Sequence, residues 1–350
     1  MSLKKGLVLF LVLTFGVSTF ILFSSVEKHT YEMIMGADKR GLLIALFMVI
    51  LAWCFDALRF CAVARAASEK ISFRLGLILT WLHYFGCAVT PMQTGGGPFQ
   101  VYVLYKGKMP IGKGVAITLT RTLLTMLLLG MVVPLAVIIE PDLLKGHRIL
   151  TGFFSYVVIF VIFSWFLVVI SFFRPRMIKR WGQVITLLLK RIGLVKPRSV
   201  LYVVRRVNSE IDNYNLNFRL FFTTGLPHFI KAVVYSCFHL LFLFSVLPVL
   251  IWSLGLEVSF FQALLAQGVF LFVLYFVPTP GASGFAEGGG AVLFSLLVPW
   301  NIAGVTAIAW RFFTEYLAIF MGAMVAIKML GWGMSEEIFR KDREQFAEED

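Results

Sequence analysis

The chain has 350 residues, 59% of them hydrophobic, 15% aromatic and only 15% charged, with a mean hydropathy of +0.87. A soluble domain is about 45–50% apolar and about 25% charged, so this chain cannot cover itself with a polar surface; a soluble enzyme, a secreted disulfide scaffold, a disordered chain and a DNA-binding domain are excluded. The net charge of +13 therefore points to cytoplasmic loops beside anionic lipid headgroups and not to nucleic acid.

Apolar blocks near or above the ~18–20 residues that cross a bilayer recur along the chain. In lipid such blocks must be helices, and the alternating segments of an outer-membrane barrel are absent. Residues 6–23 follow Lys4 and Lys5 and form a first predicted span; with the polar loop 25–40 they make a first unit, 1–40. Residues 41–58 form a second span, read as ending near an interface marked by Asp56, Arg59, Arg65, Lys70 and Arg74. Residues 75–105 are apolar but interrupted from Thr90 to Pro98, where two prolines and three glycines forbid a through helix. Residues 115–139 and 150–173 are predicted spans.

Segment 174–219 holds eleven bases and two acids, and so carries +9 of the net +13. Its charge pairs Lys179-Arg180, Lys190-Arg191 and Arg205-Arg206 alternate with apolar residues, the pattern of amphipathic helices lying on the inner leaflet. A span over 220–253 follows. Residues 260–277 then run into a second Pro/Gly stretch, Pro278 to Gly290, before a short apolar piece and a last span over 302–330. The tail 331–350 is charged.

The positive-inside rule places 174–219 in the cytoplasm. Counting crossings outward from it puts both termini inside and makes residues 75–105 a hairpin that enters from and returns to the cytoplasm. Residues 260–298 then form a hairpin on the opposite face. The predicted fold is an all-α polytopic membrane protein with six full spans. Two inverted repeats, 41–139 and 220–330, each contain a broken re-entrant hairpin, and 140–173 adds a span between them. The spans after the hairpins are alike: each places an arginine six residues after a valine (Val115 and Arg121, Val305 and Arg311), with Thr125 and Thr314 about a turn beyond. Inverted repeats with paired broken helices are a transporter pattern, with the substrate held where the breaks meet.

Ionisable residues inside spans are costly and face a cavity or a partner. Arg121, Lys231, Glu287, Arg311 and Glu315 are of this kind. Arg311 and Glu315 are four apart and share one helix face, either as a self-neutralising pair or as an anion site, since an arginine fork suits phosphate. Lys231 is read as snorkelling to an interface. At the second break Thr279, Pro280, Gly281, Ser283 and Gly284 precede a half-helix whose N-terminal end would attract an anion; the glycines also permit close helix packing. Thr90, Gln93, Gly96 and Gly97 are the corresponding groups of the first break. His83, His228 and His239 read as hydrogen-bonded core residues, and Cys54, Cys61, Cys87 and Cys237 as free thiols. No metal-ligand spacing, Walker loop or GxSxG elbow occurs, so no catalytic residue, metal or cofactor is expected.

Pro280-Gly281-Ala282-Ser283-Gly284-Phe285-Ala286-Glu287, followed by Arg311 and Gly322, resembles the PTPGG-x-G-x-x-E signature of the flippase-like membrane domain family. That family includes the transmembrane region of lysylphosphatidylglycerol synthases and stand-alone relatives. Thr90-Pro91, Gly96-Gly97, Tyr102 to Lys106 and Arg121 resemble the family's first break and first arginine, so the likeness covers roughly residues 1–330. Two departures stand out: Ala282 replaces a second glycine, and Gly-Gly-Gly-Pro replaces a glycine followed by an acid. The resemblance implies movement of a polar lipid between leaflets. In the synthases this region flips aminoacylated phosphatidylglycerol made by a soluble transferase domain, which is not found after the last span here, so aminoacyl-lipid synthesis is not expected.

The function expected is thus translocation of a phospholipid or other anionic polar lipid across a bacterial or archaeal cytoplasmic membrane without ATP. It would run downhill or coupled to an ion, with Glu287 and Glu315 as proton carriers. Anionic inner-leaflet lipids are expected partners, and a homo-oligomer is left open. An ion-coupled transporter of a small soluble anion and a membrane enzyme acting on lipid headgroups remain as alternatives.

Overall fold

A computed structural model describes residues 3–25, 32–33, 35–139, 159, 162 and 225–330. The expected basic segment 174–219, the tail 331–350 and all but two residues of the expected span 150–173 lie outside the described residues. The described chain is helical, as expected: α1 (Leu3–Ser25), α2 (Lys39–Ala66), α3 (Phe73–Ala88), α4 (Gly96–Lys106), α5 (Ile111–Ile139), α6 (Leu226–Ser253), α7 (Phe260–Leu274), α8 (Phe285–Phe294), α9 (Trp300–Arg311) and α10 (Leu317–Leu330). A π-turn, Phe312–Tyr316, joins α9 to α10. Among the described residues, four helices are long and apolar enough to cross a membrane: Lys39–Ala66, Ile111–Val132, Leu226–Ser253 and Trp300–Met329.

Two boundaries differ from expectation, each for a local reason. Helix α2 runs past residue 58 to Ala66 because Asp56 lies one turn from Arg59 and neutralises it, so the charge does not end the span. Asp56 is accordingly buried inside the protein and not at an interface. Gly288, Gly289 and Gly290 do not extend the second break but lie inside α8. Helix α6 continues through Pro248, in keeping with the expected span over 220–253. That proline has no N–H for the carbonyl four residues back, that of Phe244. The side-chain amide of Gln267 in α7 supplies the missing donor (Nε2 to Phe244 O, 2.5 Å), and its oxygen accepts from the Trp310 indole at 2.8 Å.

The helices pack in a reciprocal pattern. Long helices α2 and α6 lie along each other, α3 packs on α10, and α7 packs on α5. Each broken hairpin therefore leans on the closing helix of the other half. The α3–α10 contact needs Gly322, where an added Cβ would strike the Trp81 carbonyl. The apolar core is correspondingly divided. One cluster joins the end of α2 with α3 and α4 to α10 around Phe60, Leu79, Leu82 and Phe85, and another joins the start of α2 to α6–α9 around Phe270, Phe294 and Trp310.

Candidate functional site

The two breaks meet. Residues 89–95 separate α3 from α4, and residues 275–284 separate α7 from α8. Pro91 and Pro280 pair as an isolated antiparallel bridge, and the Gly281 N–H donates to the Cys87 carbonyl at 3.1 Å. Gln93 crosses as well, its Nε2 donating to Leu274 O at 3.4 Å. Gly281 has φ +58°, and a Cβ there would press on the Phe10 ring of α1 and on the Ala88 backbone. Glycine is the residue that combines this left-handed conformation with so close an approach.

Each half contributes a buried charge cluster. In the first half, Asp56 is held by two arginines. Its Oδ1 accepts from an Arg59 Nη2 and, at 3.1 Å, from Arg121 Nε. Its Oδ2 accepts from Arg121 Nη2 at 2.5 Å and from the Thr80 hydroxyl at 2.8 Å. Arg59 also donates to Thr125 Oγ1 at 2.7 Å, while its buried Nε–H has no hydrogen-bond partner among the described residues. Exposure is 0% for Asp56, 1% for Arg59 and 4% for Arg121, and with two cations on one anion the cluster carries one positive charge over. The Arg121 guanidinium also lies 5.0 Å from the Phe60 ring centre.

In the second half the balance is reversed. Arg311, 0% exposed, donates to Glu315 Oε1 at 2.6 Å, reaches Glu287 Oε1 at 3.5 Å and donates through Nη2 to the Gly281 carbonyl. Glu287 caps α8: its Oε2 accepts from the Gly284 N–H at 2.7 Å, and its Oε1 accepts from the Tyr316 hydroxyl at 2.6 Å. Two carboxylates on one guanidinium leave one negative charge over.

Between these clusters lies a cavity lined from both halves of the chain. Arg59, Arg121 and Thr125 face it on one side, Thr314 and Glu315 on the other, and Gln93 and Gly281 come from the two breaks. His83, Tyr84 and Cys87 of α3, Tyr275 beyond α7 and His239 of α6 complete the polar wall. Leu129, Leu240, Leu243 and Leu271 make an apolar flank. The cavity thereby presents charges of both signs next to an apolar wall.

Of the residues singled out in the sequence, Arg121, Glu315, Gln93 and Gly281 line this cavity. Arg311 and Glu287 sit behind Glu315, tying the second break in place. The remaining hydroxyls hold backbone: Thr90 Oγ1 donates to Gly86 O (2.8 Å) and accepts from the Gly95 N–H (2.7 Å). Thr279 donates to Ser283 O at 3.0 Å and Ser283 to Pro280 O at 2.6 Å. Pro280 forms the bridge, and Gly284 is the N-cap of α8 with φ +83°. Gly96 packs against the His83 ring, while a Cβ at Gly97 would meet open space. The N-terminal end of α8, expected to face an anion, is occupied by Glu287 of its own first turn. Arg59, Asp56, Tyr84 and Tyr275 were not anticipated. The signal for the first two was an acid and a base three apart inside an unbroken apolar run.

Comparison with known proteins agrees with this architecture. A family model described as the lysylphosphatidylglycerol synthase TM region matches residues 6–322. A UPF0104 membrane protein of Archaeoglobus fulgidus is 24% identical over 311 residues, covering 87% of this chain and 92% of that protein.

Proposed function

The chain belongs to the lysylphosphatidylglycerol synthase transmembrane-region family and is a multi-pass membrane protein; from that premise we propose that it is a lipid translocase. It moves a phospholipid or other anionic polar lipid between the leaflets of the cytoplasmic membrane without ATP hydrolysis, and its termini are cytoplasmic. The observation that carries this reading is a cavity that joins Arg59 and Arg121, Glu315 and both Pro/Gly breaks to an apolar flank of four leucines. A headgroup phosphate takes the place that water or a counter-ion would hold beside the two arginines, attracted by their surplus positive charge and by the N–H groups that Asp56 and Thr125 leave open. The acyl chains stay against Leu129, Leu240, Leu243 and Leu271. That flank favours a lipid over a fully water-soluble anion, which needs no apolar wall. The reciprocal packing of α3 on α10 and α7 on α5 supports two inverted repeats, and rocking one against the other about the crossing at Gly281 provides access from alternate faces.

The test is transfer of headgroup-labelled lipid in liposomes, read as the fraction reached by an impermeant quencher. Wild-type protein transfers the labelled phosphatidylglycerol, and Arg59→Gln does not, although Asp56 keeps Arg121 as its partner in that variant. Absence of protein-dependent transfer for any anionic or aminoacylated lipid overturns the reading and leaves a soluble-anion transporter in its place.

A further inference from the structure

The six buried charges of the two clusters cancel as a set but not singly. The Asp56–Arg59–Arg121 cluster has one cation too many, and the Glu287–Arg311–Glu315 cluster one anion too many. A charge taken out of water is tolerated only when it is matched close by. An anionic headgroup entering the cavity matches the first cluster and, by doing so, removes the counterpart that the second cluster had across the cavity. The geometry points to the restoring step: Glu315 takes up one proton for each anionic headgroup bound. This deepens the reading above and rests on the cavity being the headgroup site.

Glu315 and not Glu287 is the group that can do this. Glu287 uses both oxygens on structure, one on the Gly284 N–H that starts α8 and one on the Tyr316 hydroxyl. Glu315 makes one hydrogen bond, through Oε1 to Arg311, and lines the cavity. Once it is neutral, Arg311 and Glu287 remain as a matched pair and the second break keeps its ties. The proton adds to the Glu315 carboxylate as an ordinary acid–base step, drawn from solution with no other bond made or lost.

The titratable and charged groups around Glu315 come from every element near it. Arg311 lies on α9, Tyr316 on the π-turn and Glu287 on α8. Asp56 and Arg59 come from α2, His83, Tyr84 and Cys87 from α3, Arg121 from α5, His239 from α6, and Tyr275 follows α7. Lys328 of α10 is exposed. His83 is the competing proton acceptor, since it lines the cavity and its Nδ1 has no hydrogen-bond partner among the described residues. A proton on His83, however, would balance the total while leaving the second cluster with its surplus carboxylate. It would also crowd a third cation beside Arg59 and Arg121.

The experiment is calorimetric binding of dihexanoyl phosphatidylglycerol to the full-length protein in detergent, in buffers of differing ionisation enthalpy. Wild type takes up about one proton per lipid bound, and its affinity falls about tenfold per unit rise in pH where free Glu315 is ionised. Glu315→Gln binds the lipid with no proton uptake and no such slope. His83→Gln keeps the uptake. Dihexanoyl phosphatidylcholine carries its own cation and binds without a proton. Zero uptake in the wild type, uptake lost in H83Q, or equal uptake with phosphatidylcholine overturns the inference. Should E315Q fail to accumulate, the wild-type count and the H83Q result decide. The liposome assay separates this from translocation. Proton-linked binding without transfer sinks the translocase and keeps the coupling; transfer without proton uptake does the reverse.

Discussion

The two charge clusters are built from the same kinds of residue and do different work. In the second half, Arg311 and Glu287 bind backbone: the guanidinium holds the Gly281 carbonyl and the carboxylate holds the Gly284 N–H. That break is thus clamped by the buried charges beside it. In the first half, Asp56, Arg59 and Arg121 bond to one another and to the hydroxyls of Thr80 and Thr125. Their break is held instead by Thr90 and by backbone contacts. Arginines released from holding a loop are available to a ligand, and those engaged in it are not. On the proposed function, headgroup binding would fall to the arginines of the first cluster, while Arg311 and Glu287 hold the second break and Glu315 faces the cavity.

The largest effect that would break this comparison comes from Asp56. Asp56→Ala leaves two buried guanidinium groups side by side without an anion. Removing one partner of a buried ion pair costs about 3–5 kcal/mol, and here one carboxylate serves two cations. The variant should fail to accumulate as folded protein in detergent, read by size-exclusion yield and thermal unfolding. Normal folding would show that the cluster is not held by Asp56 at all.

The second break gives the next largest effect. Gly281→Ala puts a Cβ at a left-handed position, which costs roughly 1–2 kcal/mol, and pushes it against Phe10 and the Ala88 backbone. Thermal unfolding should fall by about that amount or more. Transfer should fall with it, because the crossing of the breaks is displaced. A variant of normal stability and normal transfer would separate the crossing from function.

Arg59→Gln sharpens the comparison from the other side. Asp56 keeps the two-point grip of Arg121, so the folded state survives. The loss falls on anion binding: a hydrogen bond to a charged group is worth about 1.5–3 kcal/mol, or about 10–100-fold in dihexanoyl phosphatidylglycerol affinity by calorimetry. Arg311→Gln is the converse. It should lower the unfolding temperature more than it lowers affinity, and equal behaviour of the two arginine variants would erase the assignment of roles.

What the sequence disclosed follows from what single residues reveal without a partner. Prolines and glycines interrupt an apolar run wherever they stand, so both breaks were legible, as was the all-helical fold. Arg121, Arg311 and Glu315 were visible because a charge in an apolar block needs a reason. Asp56 and Arg59 were read as the end of a span, because neutralisation one turn away appears only once both side chains are placed. Gly288 to Gly290 were read as part of the break, but α8 includes them because Glu287 caps it just upstream. In sequence the hydroxyls of Thr90, Thr279 and Ser283 read as ligand groups, since composition does not tell whether an oxygen is already bonded. Their partners are carbonyls and an N–H within five residues, a local pattern known to compete for Ser and Thr side chains.

That last point carries the smallest effect and the cleanest separation. Thr90 sits at the first break, where a hydroxyl would be a natural headgroup contact, yet it donates to Gly86 and accepts from the Gly95 N–H. Thr90→Val keeps the shape and removes both bonds, leaving that N–H without its side-chain acceptor at a cost of about 1–2 kcal/mol. The unfolding temperature should drop by a few degrees, as that free energy implies for a domain of this size. Affinity for dihexanoyl phosphatidylglycerol should stay within about twofold of wild type once measured below the unfolding range. A fall in affinity with unchanged stability would return Thr90 to the headgroup site. It would also show that the first break, like the first cluster, holds the ligand and not only the chain.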